Sequence, residues 1–145
     1  MSTATSAVSP IPVAFFGLQV ELSQKIQAAL LPEYDVVHTV FNLAAAEAEL
    51  LPLLQGVKTI TPSSKLGSNV DRPAAERKVP VIVFFAGAIS PEDVGKVTEL
   101  VNKVAPGTGL VQATREEVRE AGATGPDPVI IAKVLKGKFG EVLKK

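Results

Sequence analysis

Pro12-Val13-Ala14-Phe15-Phe16-Gly17 and Pro80-Val81-Ile82-Val83-Phe84-Phe85-Ala86-Gly87 are two versions of one pattern, a short apolar run that ends in glycine. Each is followed by residues with helical periodicity. An apolar run bounded by proline and glycine reads as a strand buried on both faces, as in a parallel sheet. If the two strands are neighbours, their glycine turns open at the same edge of that sheet. Ligands of α/β proteins bind at that edge, outside the carboxyl ends of the strands.

The rest of the chain fits around these strands. After the first, Leu22, Ile26, Ala29 and Leu30 recur at helical spacing, and Pro32 ends the helix. A second strand is expected over 35–41, with Val36, His38 and Val40 on one face. Asn42 suits the N-cap of a helix with Leu43, Leu50 and Leu54 on its apolar stripe; Pro52 kinks or shortens it and Gly56 follows its end. Residues 57–61 read as a short edge strand and 62–78 as a long aperiodic loop. After the strand over 79–86, Ser90-Pro91-Glu92-Asp93 supplies a cap, a first-turn proline and two acids for the positive end of a helix dipole. Val94, Val97, Val101 and Val104 give that helix its buried face, and Pro106-Gly107 stops it. A fourth strand is expected over 109–113. Thr114 and Glu117 have capping-box spacing for a short charged helix. Asp127 and Pro128 start a last helix with Ile131, Val134, Leu135, Phe139, Val142 and Leu143 as its apolar positions.

Strands that alternate with helices imply a parallel sheet covered on both faces. The fold class is therefore α/β, a three-layer sandwich around a mostly parallel sheet of four to five strands. Right-handed crossovers leave a flavodoxin-like order, 2-1-3-4, or a Rossmann-like order with 57–61 as an extra edge. Both place Gly17 beside Gly87. At 145 residues the chain is read as one domain over 10–145 behind a small polar tail, 1–9.

Composition narrows the function classes. Hydrophobic residues are 46% and charged residues 21%, a globular mix, and the net charge is zero. A nucleic-acid binder would need a basic surface to meet phosphates, so that class is not expected. The absence of cysteine excludes disulfides, thiolate nucleophiles and Cys-ligated metals. No apolar run approaches the roughly 20 residues of a membrane span and no secretory signal pattern is present, so a cytoplasmic protein is expected.

The usual occupants of the switch point lack their residues. A dinucleotide site needs a glycine-rich first turn and an acid near the end of the second strand. Here the turn reads Gly17-Leu18-Gln19-Val20-Glu21-Leu22 and the strand end His38-Thr39-Val40-Phe41-Asn42. NAD or NADP held in that manner is not expected, and no other cofactor is implied. A receiver domain needs acids after the first and third main strands, where this chain has Phe15-Phe16-Gly17-Leu18 and Phe85-Ala86-Gly87-Ala88. His38 is the lone histidine and reads as a structural, hydrogen-bonded residue. There is no metal-ligand spacing, no Gly-x-Ser-x-Gly elbow and no other catalytic constellation.

What remains is a place for an anion. The helix N-terminus capped by Ser90 lies beside Gly87, and free backbone N–H groups there favour negative charge. The expected ligand-binding set is Gly17, Leu18, Gly87, Ala88 and Ser90, with Ser63, Ser64, Lys65 and Asn69 contributed by a loop folding over that edge as a lid. The corresponding function is non-catalytic binding of a small anionic or nucleotide-like metabolite in a polar-floored cleft. The alternatives are a homo-oligomerising or protein-interaction module, with the edge closed by Leu18, Phe41 or Leu66, and an enzyme that depends on a cofactor or on backbone donors. The lysines of the last helix (133, 136, 138, 144 and 145) read as a solvated face.

Leu31-Pro32-Glu33-Tyr34-Asp35-Val36-Val37-His38, Leu51-Pro52-Leu53-Leu54-Gln55-Gly56 and Ser63-Ser64-Lys65-Leu66-Gly67-Ser68-Asn69, together with the opening Pro-Val strand, resemble a group of small uncharacterised fungal proteins. The likeness covers roughly residues 11–105. It implies a Rossmann-like domain in an intracellular eukaryotic setting, and it brings no catalytic residues.

Overall fold

A computed structural model of the chain describes residues 10–125 and 127–144. The tail expected at 1–9 lies outside them. The centre is a four-stranded sheet of order β2-β1-β3-β4. It is built from β1 (Ile11–Phe16), β2 (Tyr34–Val40), β3 (Ile82–Phe85) and β4 (Gly109–Gln112). All three pairings are parallel. This is the flavodoxin-like order, and the twin strands β1 and β3 are direct neighbours, with Phe16 opposite Phe85.

The two apolar faces of the sheet explain the two helical layers. Val13 and Phe15 of β1, with Ile82 and Phe84 of β3, face α1 (Val20–Leu30), α5 (Arg115–Glu120) and α6 (Pro128–Leu143). Ala14 and Phe16, with Val83 and Phe85, face α2 (Leu43–Ala45), a π turn (Ala46–Leu50), α3 (Leu51–Leu54) and α4 (Pro91–Val104). Successive strand residues point to opposite faces, so an unbroken apolar run supplies both cores. On the first face, Phe15 stacks on Phe84 at 4.4 Å, and Phe139 of α6 meets Phe84 and Tyr34 edge-on at 5.3 and 4.8 Å. Among the described residues no helix is long and apolar enough to cross a membrane.

The caps are largely those read from the sequence. Ser90 accepts from the Asp93 N–H, Thr114 and Glu117 form a reciprocal capping box, and Asp127 accepts from the Val129 and Ile130 N–H groups. Pro52 perturbs its helix as expected. It has no N–H to return to the preceding turn, and the chain widens into the π turn directly ahead of it.

Two expectations are corrected. Residues 57–61 form no strand. The outer edge of β2 is met instead by the following loop, where the Thr39 N–H donates to the Leu66 carbonyl at 3.1 Å and the Ser64 hydroxyl donates to the Thr39 carbonyl at 2.6 Å. Second, Val36, His38 and Val40 do not share a face. The register runs Val13 with Val36, then Ala14 with His38, leaving Val37 unmatched. This bulge shifts the pleat by one residue. Val36 therefore packs in the α1/α6 core and Val40 in the α4 core.

Candidate functional site: an apolar cavity at the ends of β1 and β3

The C-terminal ends of β1 and β3 open into a cavity of about 740 Å³ between α1, α5 and α6. Its inner wall is Phe15, Ile26 and Leu135, each no more than 2% exposed. Leu18, Leu22, Ala88, Val118 and Ile131 continue the apolar lining outward. The size falls within the range of small-molecule sites, roughly 300–1,000 Å³. The polar-floored cleft expected from the sequence is thus corrected. The cleft exists at that edge, but its floor is apolar, because the strand ends that form it are phenylalanines.

Charge enters only at the mouth. Arg115 and Arg119 line the cavity from α5, and no lining residue is acidic. They stand four apart, so they share one helix face, where like charges repel by roughly 0.2–0.5 kcal/mol. Neither guanidinium has an ion-pair partner among the described residues. Leu18 and Gln19, at the start of α1, also line it, and Gln19 leaves that helix end without a side-chain cap. The positive end of the α1 dipole therefore adds to the two arginines.

Ser23 is the polar residue of the interior. It occupies the buried stripe of α1 with Ile26 and Leu30, is 1% exposed, and lines the cavity. Its backbone N–H donates to the Gln19 carbonyl at 3.0 Å. The sequence reading passed over it, as it passed over both arginines. A serine at i−3 to Ile26 on a buried stripe was the available signal.

The expected site residues separate into two groups. Leu18, Gly87 and Ala88 line the cavity. Gly17 and Ser90 lie next to this group in the chain without lining it; Ser90 is occupied as the α4 cap. Both glycines serve packing. A Cβ on Gly17 would lie 2.8 Å from the Ser23 hydroxyl, and one on Gly87 would lie 2.9 Å from the Ala113 carbonyl. Gly87 thereby lets the turn that carries Arg115 close over the end of β3.

Ser63, Ser64, Lys65 and Asn69 are not brought to the cavity. Their loop is a strap along β2. Asn69 is fully buried and clamps Lys78 through both its N–H and its carbonyl, at 3.0 Å each. Arg77 ties the strap by donating to the carbonyls of Asn69, Arg72, Lys58 and Ile60. Lys65 sits at a positive φ in a turn closed by its N–H on the Pro62 carbonyl.

Ser63, itself exposed, belongs to a polar contact that joins strap, sheet and π turn. Its hydroxyl and N–H donate to Glu49 at 2.5 and 3.1 Å, and Glu49 accepts at 2.8 Å from Nε2 of His38. Burial pushes the fully enclosed imidazole below its ordinary range, and the hydrogen bond and charge of Glu49 only partly oppose this. For Glu49, burial raises the pKa, but the hydrogen bonds from Ser63 and His38 outweigh it and leave it lowered. The pair is thus a neutral imidazole donating to a carboxylate. The serine donates to the acid and does not contact the histidine, so this is no nucleophile–base arrangement. His38 is buried and hydrogen-bonded to Glu49 through Nε2.

Protein-family models, curated proteins and solved structures were all compared with the chain, and none matches.

Proposed function

We propose that the protein is a non-catalytic, cytoplasmic binder of a small anionic metabolite with a predominantly apolar body. The single observation that carries this reading is the cavity itself: apolar walls, two arginines without ion-pair partners at the mouth and no carboxylate in the lining. The apolar body would occupy the space against Phe15, Ile26 and Leu135, and the anion would meet Arg115, Arg119 and the first turn of α1. The inventory of polar side chains there is too small to match a ribose and a base, so nucleotides fit less well than organic acids.

A thermal-shift screen of organic acids, phosphorylated metabolites and nucleotides tests it. A ligand that binds the folded state alone stabilises it, by about 2.7 kcal/mol at a hundredfold excess over Kd. Apolar anions are expected to raise the Tm, and charge-neutral analogues to raise it less. If no compound shifts the Tm, and light scattering gives a stable dimer, the interaction-module reading replaces this one.

A further inference from the structure

We infer that the ligand is an unsubstituted aliphatic carboxylic acid, with its chain enclosed by α1, α5 and α6 and its head group at Arg115 and Arg119. This rests on the binding role proposed above and names its ligand class.

The walls are aliphatic. Leu22 and Ile26 of α1, Val118 of α5, and Ile131 and Leu135 of α6 supply them. No tyrosine or tryptophan lines the cavity, and its two phenylalanines are already engaged. Phe15 stacks on Phe84 at 4.4 Å, and Phe85 belongs to the core on the opposite face of the sheet, against Phe16. A flat aromatic ligand would gain its buried area there but little of the added attraction of a ring pair.

The enclosed part of the cavity also asks nothing polar of the chain. Among the described residues, the buried side-chain atoms without a hydrogen bond are His38 Nδ1 and Thr39 Oγ1, and neither residue lines the cavity. Ser23 is the one buried polar residue of the lining. A polar substituent on the chain would leave water with no unpaired buried group to receive it, which disfavours its entry.

The charge is confined to the mouth, where Arg115 and Arg119 are exposed and have no ion-pair partner among the described residues. Their planar forks match a carboxylate through paired, charge-assisted hydrogen bonds. No lysine lines the cavity to add the point charge that many phosphate sites use. The acid therefore sits outward and the chain runs inward. Burying one methylene is worth about fourfold in affinity, so a chain that enters this wall announces itself by its length dependence.

Isothermal titration tests this with hexanoate, octanoate, decanoate, 8-hydroxyoctanoate, 1-octanol, octyl phosphate and 1-naphthoate, on wild type and on Arg115→Gln/Arg119→Gln. Affinity is expected to rise about two-hundredfold from hexanoate to decanoate, four methylenes in all. 1-Naphthoate is expected to bind about tenfold more weakly than decanoate. 8-Hydroxyoctanoate and 1-octanol should each bind at least tenfold more weakly than octanoate, and octyl phosphate no more tightly. The arginine variant, altered only at exposed positions, is expected to lose at least tenfold for octanoate and to bind 1-octanol as wild type does. Affinity independent of chain length, or 1-naphthoate tighter than decanoate, overturns the aliphatic chain. Equal binding of 8-hydroxyoctanoate and octanoate overturns the unsubstituted chain. Tighter octyl phosphate, or octanoate binding unchanged in the arginine variant, overturns the carboxylate at the mouth. In each of these cases an anion still binds and the binding role stands; failure of every anion, here and in the thermal-shift screen, removes both.

Discussion

Gly67→Ala separates a strap from a lid. Gly67 has φ +118, and a Cβ there would lie 2.4 Å from the Val37 carbonyl oxygen, 2.6 Å from its carbon and 2.7 Å from the His38 nitrogen. All three atoms are backbone of β2 at the bulge, held in the sheet, so they have no rotamer through which to give way. The strap must lift. Holding a non-glycine residue in this region of φ/ψ destabilises by about 1–3 kcal/mol. Lifting also puts the neighbouring Leu66 carbonyl out of reach of the Thr39 N–H, a loss of roughly 0.5–1.5 kcal/mol. The expected total is about 2–4 kcal/mol, measured as a lower urea midpoint at unchanged m-value. At roughly 3 °C per kcal/mol for a chain of this size, the Tm should fall by about 6–12 °C. Below the new midpoint, affinity for any cavity ligand should equal that of wild type, since no strap residue lines the cavity. A variant as stable as wild type, or one with normal stability and altered binding, would refute the reasoning.

Two further outcomes follow from the packing. His38 titrates below its ordinary value of 6.5 when folded, so between that value and its lower folded value the unfolded chain binds the proton and the folded chain does not. Its contribution is fully present above pH 6.5 and is lost as pH falls, with a slope of at most about 1.4 kcal/mol per pH unit. Replacing it by Gln should flatten that limb in pH-dependent urea unfolding; an unchanged limb would mean that the imidazole is already charged when folded. Phe139→Ala, at a fully buried ring between Tyr34 and Phe84, should destabilise by about 3–5 kcal/mol in the same assay, and a loss under 1 kcal/mol would show that α6 does not close that face.

The strap and the cavity show why some of the site was legible in the sequence and some was not. Leu18, Gly87 and Ala88 were placed at the site by strand adjacency alone, because a parallel pair brings both turns to one edge. Arg115 and Arg119 depend on α5 closing over that edge from a distant part of the chain. The strap was misplaced because its anchors, Arg77 on four carbonyls and Asn69 across Lys78, are hydrogen bonds with no periodicity. They look like loop composition until the partners are seen.

Local chemistry thus determined the elements. Apolar runs made the strands, Ser90, Thr114 and Asp127 started their helices, and alternation with right-handed crossovers required β1 beside β3. Those rules act over a few residues or through chain connectivity, so they can be read along one dimension. The tertiary structure alone decided the bulge at Val37, which sets the faces of His38 and Val40, and the edge partner of β2. It also decided that the ends of the twin strands, at Phe15 and Phe85, floor an apolar cavity. These outcomes are settled by close packing between segments far apart in sequence, where tenths of an ångström at a backbone carbonyl decide and residue type alone does not.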